Sequence, residues 1–146
     1  MTFTRQHVVE TARQWVGTPY RHQGRKKGHY VDCIGLIIGV GADLGTTVIA
    51  PDDYTDSPSG IMLMEKARVQ FDEVLDRTEP LPGDIMVLWG WNRNEPQHFA
   101  IRSEHGGRAT MIHAFSKRKL VVEHGIDKFW EKRLMALFTF KGMEAG

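Results

Sequence analysis

Residues 32–45, "DCIGLIIGVGADLG", decide how the rest of the chain is read. Asp32 is a strong N-cap type, Gly45 a suitable stop, and the apolar positions between them fit a buried helix. Gly35, Gly39 and Gly41 work against that helix on propensity alone, each costing roughly 1 kcal/mol relative to alanine. Close packing against neighbouring elements accounts for them. In such a helix Cys33 occupies the first turn, where unpaired N–H groups favour negative charge. It is the only cysteine among 146 residues. From cysteine context alone a small buried side chain is the commoner reading, so a nucleophile needs partners elsewhere in the sequence.

Upstream, Val8, Val9, Ala12, Trp15 and Val16 recur at helical spacing behind Thr4, and Gly17 with Pro19 ends that helix. "TPYRHQGRKKGHY" (18–30) reads as a loop. Downstream, "APDDYTDSPSG" (50–60) is a second loop, followed by an amphipathic helix from roughly Ser59 to Leu75. The texture then changes to short β-branched and aromatic runs: "DIMVLW", "HFAIRS", "ATMIHAF", "LVVEHG" and "RLMALFTF". One helical turn in "HGIDKFWEK" precedes the last of them. Helices first and strands afterwards predict an α+β domain with an antiparallel sheet, spanning 1–146 as one unit.

Composition narrows the function classes. Net charge is +1, from 19 basic and 18 acidic residues, which argues against a dedicated nucleic-acid binder. The apolar run from Cys33 to Ala42 is about half of what a membrane span needs. "MTFTRQHVVETARQW" lacks the apolar core of a signal peptide, so a protein made in the cytoplasm is expected. A single thiol forms no internal disulfide, and no cofactor or structural metal is expected.

The chemistry lies in cysteine and histidine together. A thiol attacks only as thiolate, and a nearby imidazole is the usual device for producing one. His98 opens the strand "HFAIRS" and His113 lies within "ATMIHAF"; a turn at "SEHGGRA" would set these strands side by side. Alternation places Met111, His113 and Phe115 on one face and Thr110, Ile112 and Ala114 on the other. One imidazole near Cys33 would serve as base and a second would orient it. His7, His22, His29, His105 and His124 read as surface or hydrogen-bonded residues. Zinc on Cys33, His98 and His113 is a rival, weakened by the lack of a closely spaced ligand pair.

The order of motifs resembles the NlpC/p-sixty cysteine peptidases, papain-like enzymes that cut peptidoglycan stem peptides. "GTPYRHQG" is similar to the segment ahead of the nucleophile and "DCIGLI" to the nucleophile motif. "LPGDIMVLW" matches the lead into the sheet, and "QHFAI" and "MIHAF" match the base and third-residue motifs. The resemblance runs from about Thr4 to Phe140. It departs at Ile34, where serine is commoner, and at Phe99, which is bulkier than usual.

The resemblance implies a papain-like fold with Cys33 as nucleophile, His98 as base and His113 as the residue orienting it. It also implies an oxyanion site at the Cys33 N–H with Tyr20 beside it as donor or substrate contact. Asp32 is a helix cap, a contact to a substrate amine, or both. Trp89 and Trp91 pack in the core or line the cleft. The implied bond is γ-D-glutamyl–diamino acid. "TPYRHQG" followed by "DCIGL" looks most like the branch found in phage and phage-like tails, where tail proteins would carry the enzyme to the cell wall. A papain-like amidase or acyltransferase and an inactive tail component are the alternatives. The basic runs at 21–29 and 117–119 read as solvated faces that also suit anionic wall polymers.

Overall fold

A capping box at Thr4 starts the first helix. The Thr4 hydroxyl accepts from the His7 N–H (3.1 Å), and His7 Nδ1 accepts from the Thr4 N–H (3.2 Å). This computed structural model describes residues 2–46, 48, 60–90, 93 and 95–144, with residues 60–62 described by their backbone alone. Helix α1 (Arg5–Arg13) buries Val8, Val9 and Ala12, and turns carry the chain on to Gly17. The segment expected as a loop also holds a short antiparallel pair, β1 (Arg25–Lys26) with β2 (Tyr30–Val31).

Helix α2 (Cys33–Asp43) is the expected buried helix, and its glycines have the expected cause. A Cβ on Gly39 would lie 2.2 Å from the Trp15 ring, and one on Gly35 only 1.9 Å from the Gly24 carbonyl oxygen. Trp15 thus lies across the helix, with Nε1 donating to Asp43 (3.1 Å).

Helix α3 (Gly60–Gln70) is shorter than the expected Ser59–Leu75, and Ser59 lies outside the described residues, as does most of the preceding loop. The helix ends because the next residues find better partners. In β3 (Phe71–Glu73), Phe71 pairs with Phe140 and packs edge-on to Phe138 and Phe140, at centroid distances of 6.4 and 5.6 Å. Burying that ring among aromatics outweighs one more helical turn.

The remaining strands are β4 (Ile85–Trp89), β5 (Pro96–His105), β6 (Arg108–Phe115), β7 (Leu120–Gly125) and β8 (Leu134–Phe140), with α4 (Lys128–Glu131) before the last. They form one sheet in the order β3-β8-β4-β5-β6-β7, with antiparallel pairing throughout. The β5–β6 hairpin turns on Gly106 and Gly107, whose φ angles of +59° and +75° suit a two-residue turn that only glycine enters freely.

Alternation divides the sheet into two faces. Phe99, Ile101, Ile112, Ala114 and Phe138 meet α1 and α2 in the larger core. Met86, Leu88, Ala100, Met111 and Leu137 form a second cluster on the opposite face, covered by Ile126, Trp130 and Leu134. The Pro82-Gly83-Asp84 turn anchors β4. Burial alone would raise the Asp84 carboxyl, but hydrogen bonds from Arg77 (2.5 and 2.9 Å), the Leu81 N–H (2.7 Å) and Arg5 (2.9 Å) outweigh it and hold the group below its ordinary range. The turn fixes where the sheet meets α1.

Candidate active site

Cys33 is the first residue of α2, and Asp32 caps that helix through a bond from the Gly35 N–H (2.7 Å). The thiol is half-buried and packs against the larger core. Its hydrogen-bonding neighbours are the backbone N–H groups of Phe99, Ile34 and Cys33 itself, all of which favour the thiolate. Phe99 lies just beyond the last β5–β6 pair, Ile101 with Ile112, where the two strands part. The helix N-terminus therefore meets β5 one residue from His98. Burial, followed by the Asp32 charge, overrides those N–H groups and pushes the thiol up to about 12. Among the described residues no hydrogen bond joins the thiol to an imidazole, so the resting thiol keeps its proton.

The two predicted histidines do meet. His98 Nε2 lies 2.8 Å from His113 Nδ1, with the rings nearly perpendicular at 77°. Alternation along β5 and β6 carries both rings past the last pair onto the face of Ala100 and Met111. His113 is fully buried. Phe115 stacks on it at 4.9 Å and Trp130 meets it edge-on at 5.0 Å. Burial pushes His98 down to about 4. For His113, burial and the neighbouring His98 and His124 push the imidazole down to about 2. Both rings are therefore neutral at physiological pH.

Tyr20 approaches the site through its backbone. It bridges to Val31, two residues before Cys33, and its N–H donates to the Lys119 carbonyl (2.8 Å). Pro19 bridges to Leu120, so the two basic runs of the sequence flank the same approach to Cys33. The Asp32 carboxylate is buried and also accepts from the Gln23 N–H (2.7 Å), which ties the 21–24 loop to the start of α2. Trp89 carries the Arg133 guanidinium on its ring (4.0 Å), and the same cation lies over the Phe129 ring (4.1 Å). Trp91 lies outside the described residues. Among the described residues Cys33, His98 and His113 do not form a metal-ligand cluster.

Residues 17–139 match the NlpC/P60 family. The chain belongs to that family. No curated protein matches it, but solved structures do. The NlpC/P60 domain of peptidoglycan hydrolase SagA superposes with a TM-score of 0.65 at 18% identity, covering 94% of this chain and 100% of that one. An NlpC/P60 family protein from Bacillus cereus gives 0.69 at 18% identity, over 96% of this chain and 41% of its own. NlpC1 from Trichomonas vaginalis gives 0.68 at 16% identity, over 93% and 44%. This chain therefore spans less than half of those two larger proteins. At such identities the likeness establishes the shared papain-like fold, helices against a large antiparallel sheet.

One histidine that the sequence reads only as a surface or hydrogen-bonded strand residue joins the pair. His124 on β7 places Nε2 2.7 Å from His113 Nε2, and its Nδ1 lies 2.8 Å from the Gly125 carbonyl oxygen. Trp130 covers it at 5.3 Å. The signal lay in the alternation of "LVVEHG": Val121 faces the larger core, so Val122 and His124 take the opposite face, the one His113 occupies. Trp130 was not separable from any surface aromatic in a short helical turn, because its partners come from β6 and β7.

Proposed function

We propose that this chain is a cysteine endopeptidase that hydrolyses peptidoglycan stem peptides, with Cys33 as nucleophile, His98 as general base and acid, and His113 orienting His98. The observation that carries the reading is the His98–His113 contact at 2.8 Å, with the N–H of Phe99, the residue after His98, reaching the thiol of a cysteine that opens a capped helix. His98 Nδ1 takes the thiol proton as the Cys33 sulfur bonds to the scissile carbonyl carbon. The carbonyl oxygen becomes an oxyanion facing the N–H groups at the start of α2, with Tyr20 on the approach side. Collapse breaks the C–N bond, and His98 returns the proton to the leaving amine. Water, deprotonated by His98, then releases the acyl group from sulfur.

The bond is γ-D-glutamyl–diamino acid and the setting a phage or phage-like tail acting on the wall; both extend the family resemblance of the motifs. Purified wild type and Cys33→Ala are incubated with muropeptides under reducing conditions, and products are weighed by mass spectrometry. Stem-peptide cleavage by wild type alone is expected. Intact stems with wild type would refute the peptidase reading. Transfer products without hydrolysis would favour the acyltransferase alternative.

A further inference from the structure

The three imidazoles form one hydrogen-bonded chain that ends on a carbonyl, and that end determines the proton positions along it. Gly125 O only accepts, so the His124 nitrogen facing it, Nδ1, carries a hydrogen. In neutral His124, Nε2 is then a bare lone pair, and the His113 Nε2 facing it at 2.7 Å must donate. Neutral His113 therefore presents a bare Nδ1, which obliges His98 Nε2, 2.8 Å away, to donate in turn. The proton-free nitrogen of His98 is Nδ1, the one left to receive the thiol proton. A reversed chain would put a hydrogen on Nδ1 and block the base.

We propose, resting on the peptidase reading above, that His124 is a positioning residue which, anchored by the Gly125 carbonyl, sets the tautomers of His113 and His98 so that His98 Nδ1 is free to act as base. The alternation of β5, β6 and β7 places the three rings in file, and Trp130 holds the last two by lying against both. A third residue on an adjacent strand usually suffices to orient a base. Here that residue is itself an ambidextrous imidazole, able to donate or accept at Nδ1, so orientation alone leaves the proton's position open. The fourth group closes that choice.

The test reads tautomers without substrate. With 15N-histidine, long-range 1H–15N correlation at pH 8 should show His98 and His113 protonated on Nε2 and His124 on Nδ1. His124→Lys offers only donors, so it should reverse the chain, move the His98 hydrogen to Nδ1 and lower kcat/KM about 10²–10⁴-fold, the usual worth of a general base. His124→Glu offers only accepting oxygens; it should retain the His98 tautomer and come within about tenfold of wild type. A wild-type spectrum with His98 protonated on Nδ1 overturns the inference, as do Lys and Glu variants with the same His98 tautomer. If the tautomers come out as stated while wild type leaves muropeptides uncut, only the peptidase reading fails.

Discussion

Replacing Asp32 separates two effects that one carboxylate exerts on Cys33, the proposed nucleophile. The side chain accepts from the Gly35 N–H, capping α2, and from the Gln23 N–H, fastening the loop ahead of the cysteine, each at 2.7 Å. Asp32→Ala removes the cap, worth about 1 kcal/mol, and takes away the acceptor of the Gln23 N–H, worth about 1–3 kcal/mol. Together these cost about 2–4 kcal/mol, which lowers the melting temperature of a chain of this size by roughly 5–15 °C. Asp32→Asn caps nearly as well but loses the charge and one accepting oxygen, so it should cost about 1 kcal/mol. The thiol responds in the opposite sense. After burial, the Asp32 charge is what raises the Cys33 pKa, so the Asn variant should ionise at lower pH than wild type. Iodoacetamide alkylation followed across pH reads this directly, and calorimetry reads stability on the same samples. The Asn variant should be less stable and more reactive at neutral pH. An alkylation profile that stays put or moves to higher pH refutes the electrostatic account; an Ala variant as stable as Asn refutes the capping account.

Two further outcomes follow from buried charge. Asp84→Ala should cost about 3 kcal/mol or more, because it strands Arg5 and Arg77 beside an empty turn; a urea midpoint within error of wild type would contradict that. His98 and His113 are held neutral in the folded chain, at about 4 and about 2, whereas the unfolded chain binds their protons near pH 6.5. Their contribution is therefore complete above about pH 6.5 and lost as pH falls toward those values, by about 1.4 kcal/mol per pH unit for each ring. Urea unfolding at pH 7, 6 and 5 should show the decline, and His113→Asn should flatten it; equal midpoints across that range would refute it.

Sequence patterning captured what is decided locally. The caps at Thr4 and Asp32, the turn within "SEHGGRA" and the face that His113 shares with Met111 and Phe115 all depend on residues within a few positions of one another. It failed where a distant partner decides. "QFDEVL" is a good continuation of α3, and only β8, more than sixty residues on, makes Phe71 a strand residue. Likewise the β1–β2 pair is held by contacts to residues outside its own segment: Val31 donates to Pro19, and Gly24 lies against Gly35. His124 falls between these cases. Its face was readable, but its significance depended on β7 pairing with β6 in the register that aligns Met111 with His124.

The resting site is built around neutrality. Burial drives the thiol up and the imidazoles down, so neither Cys33 nor His98 is charged alone in the free protein. In the mechanism we propose, moving the thiol proton to His98 creates both charges together, and each then meets groups already aimed at it. The N–H groups of Phe99, Ile34 and Cys33 face the sulfur, and the His113 nitrogen at 2.8 Å faces the His98 Nε2 hydrogen. Those groups need no rearrangement at the moment of transfer. On this account the rigidity of the sheet face that holds the three imidazoles matters as much as their identity. The aromatic ring of Trp130, in contact with two of them, belongs to the machinery even though it exchanges no proton.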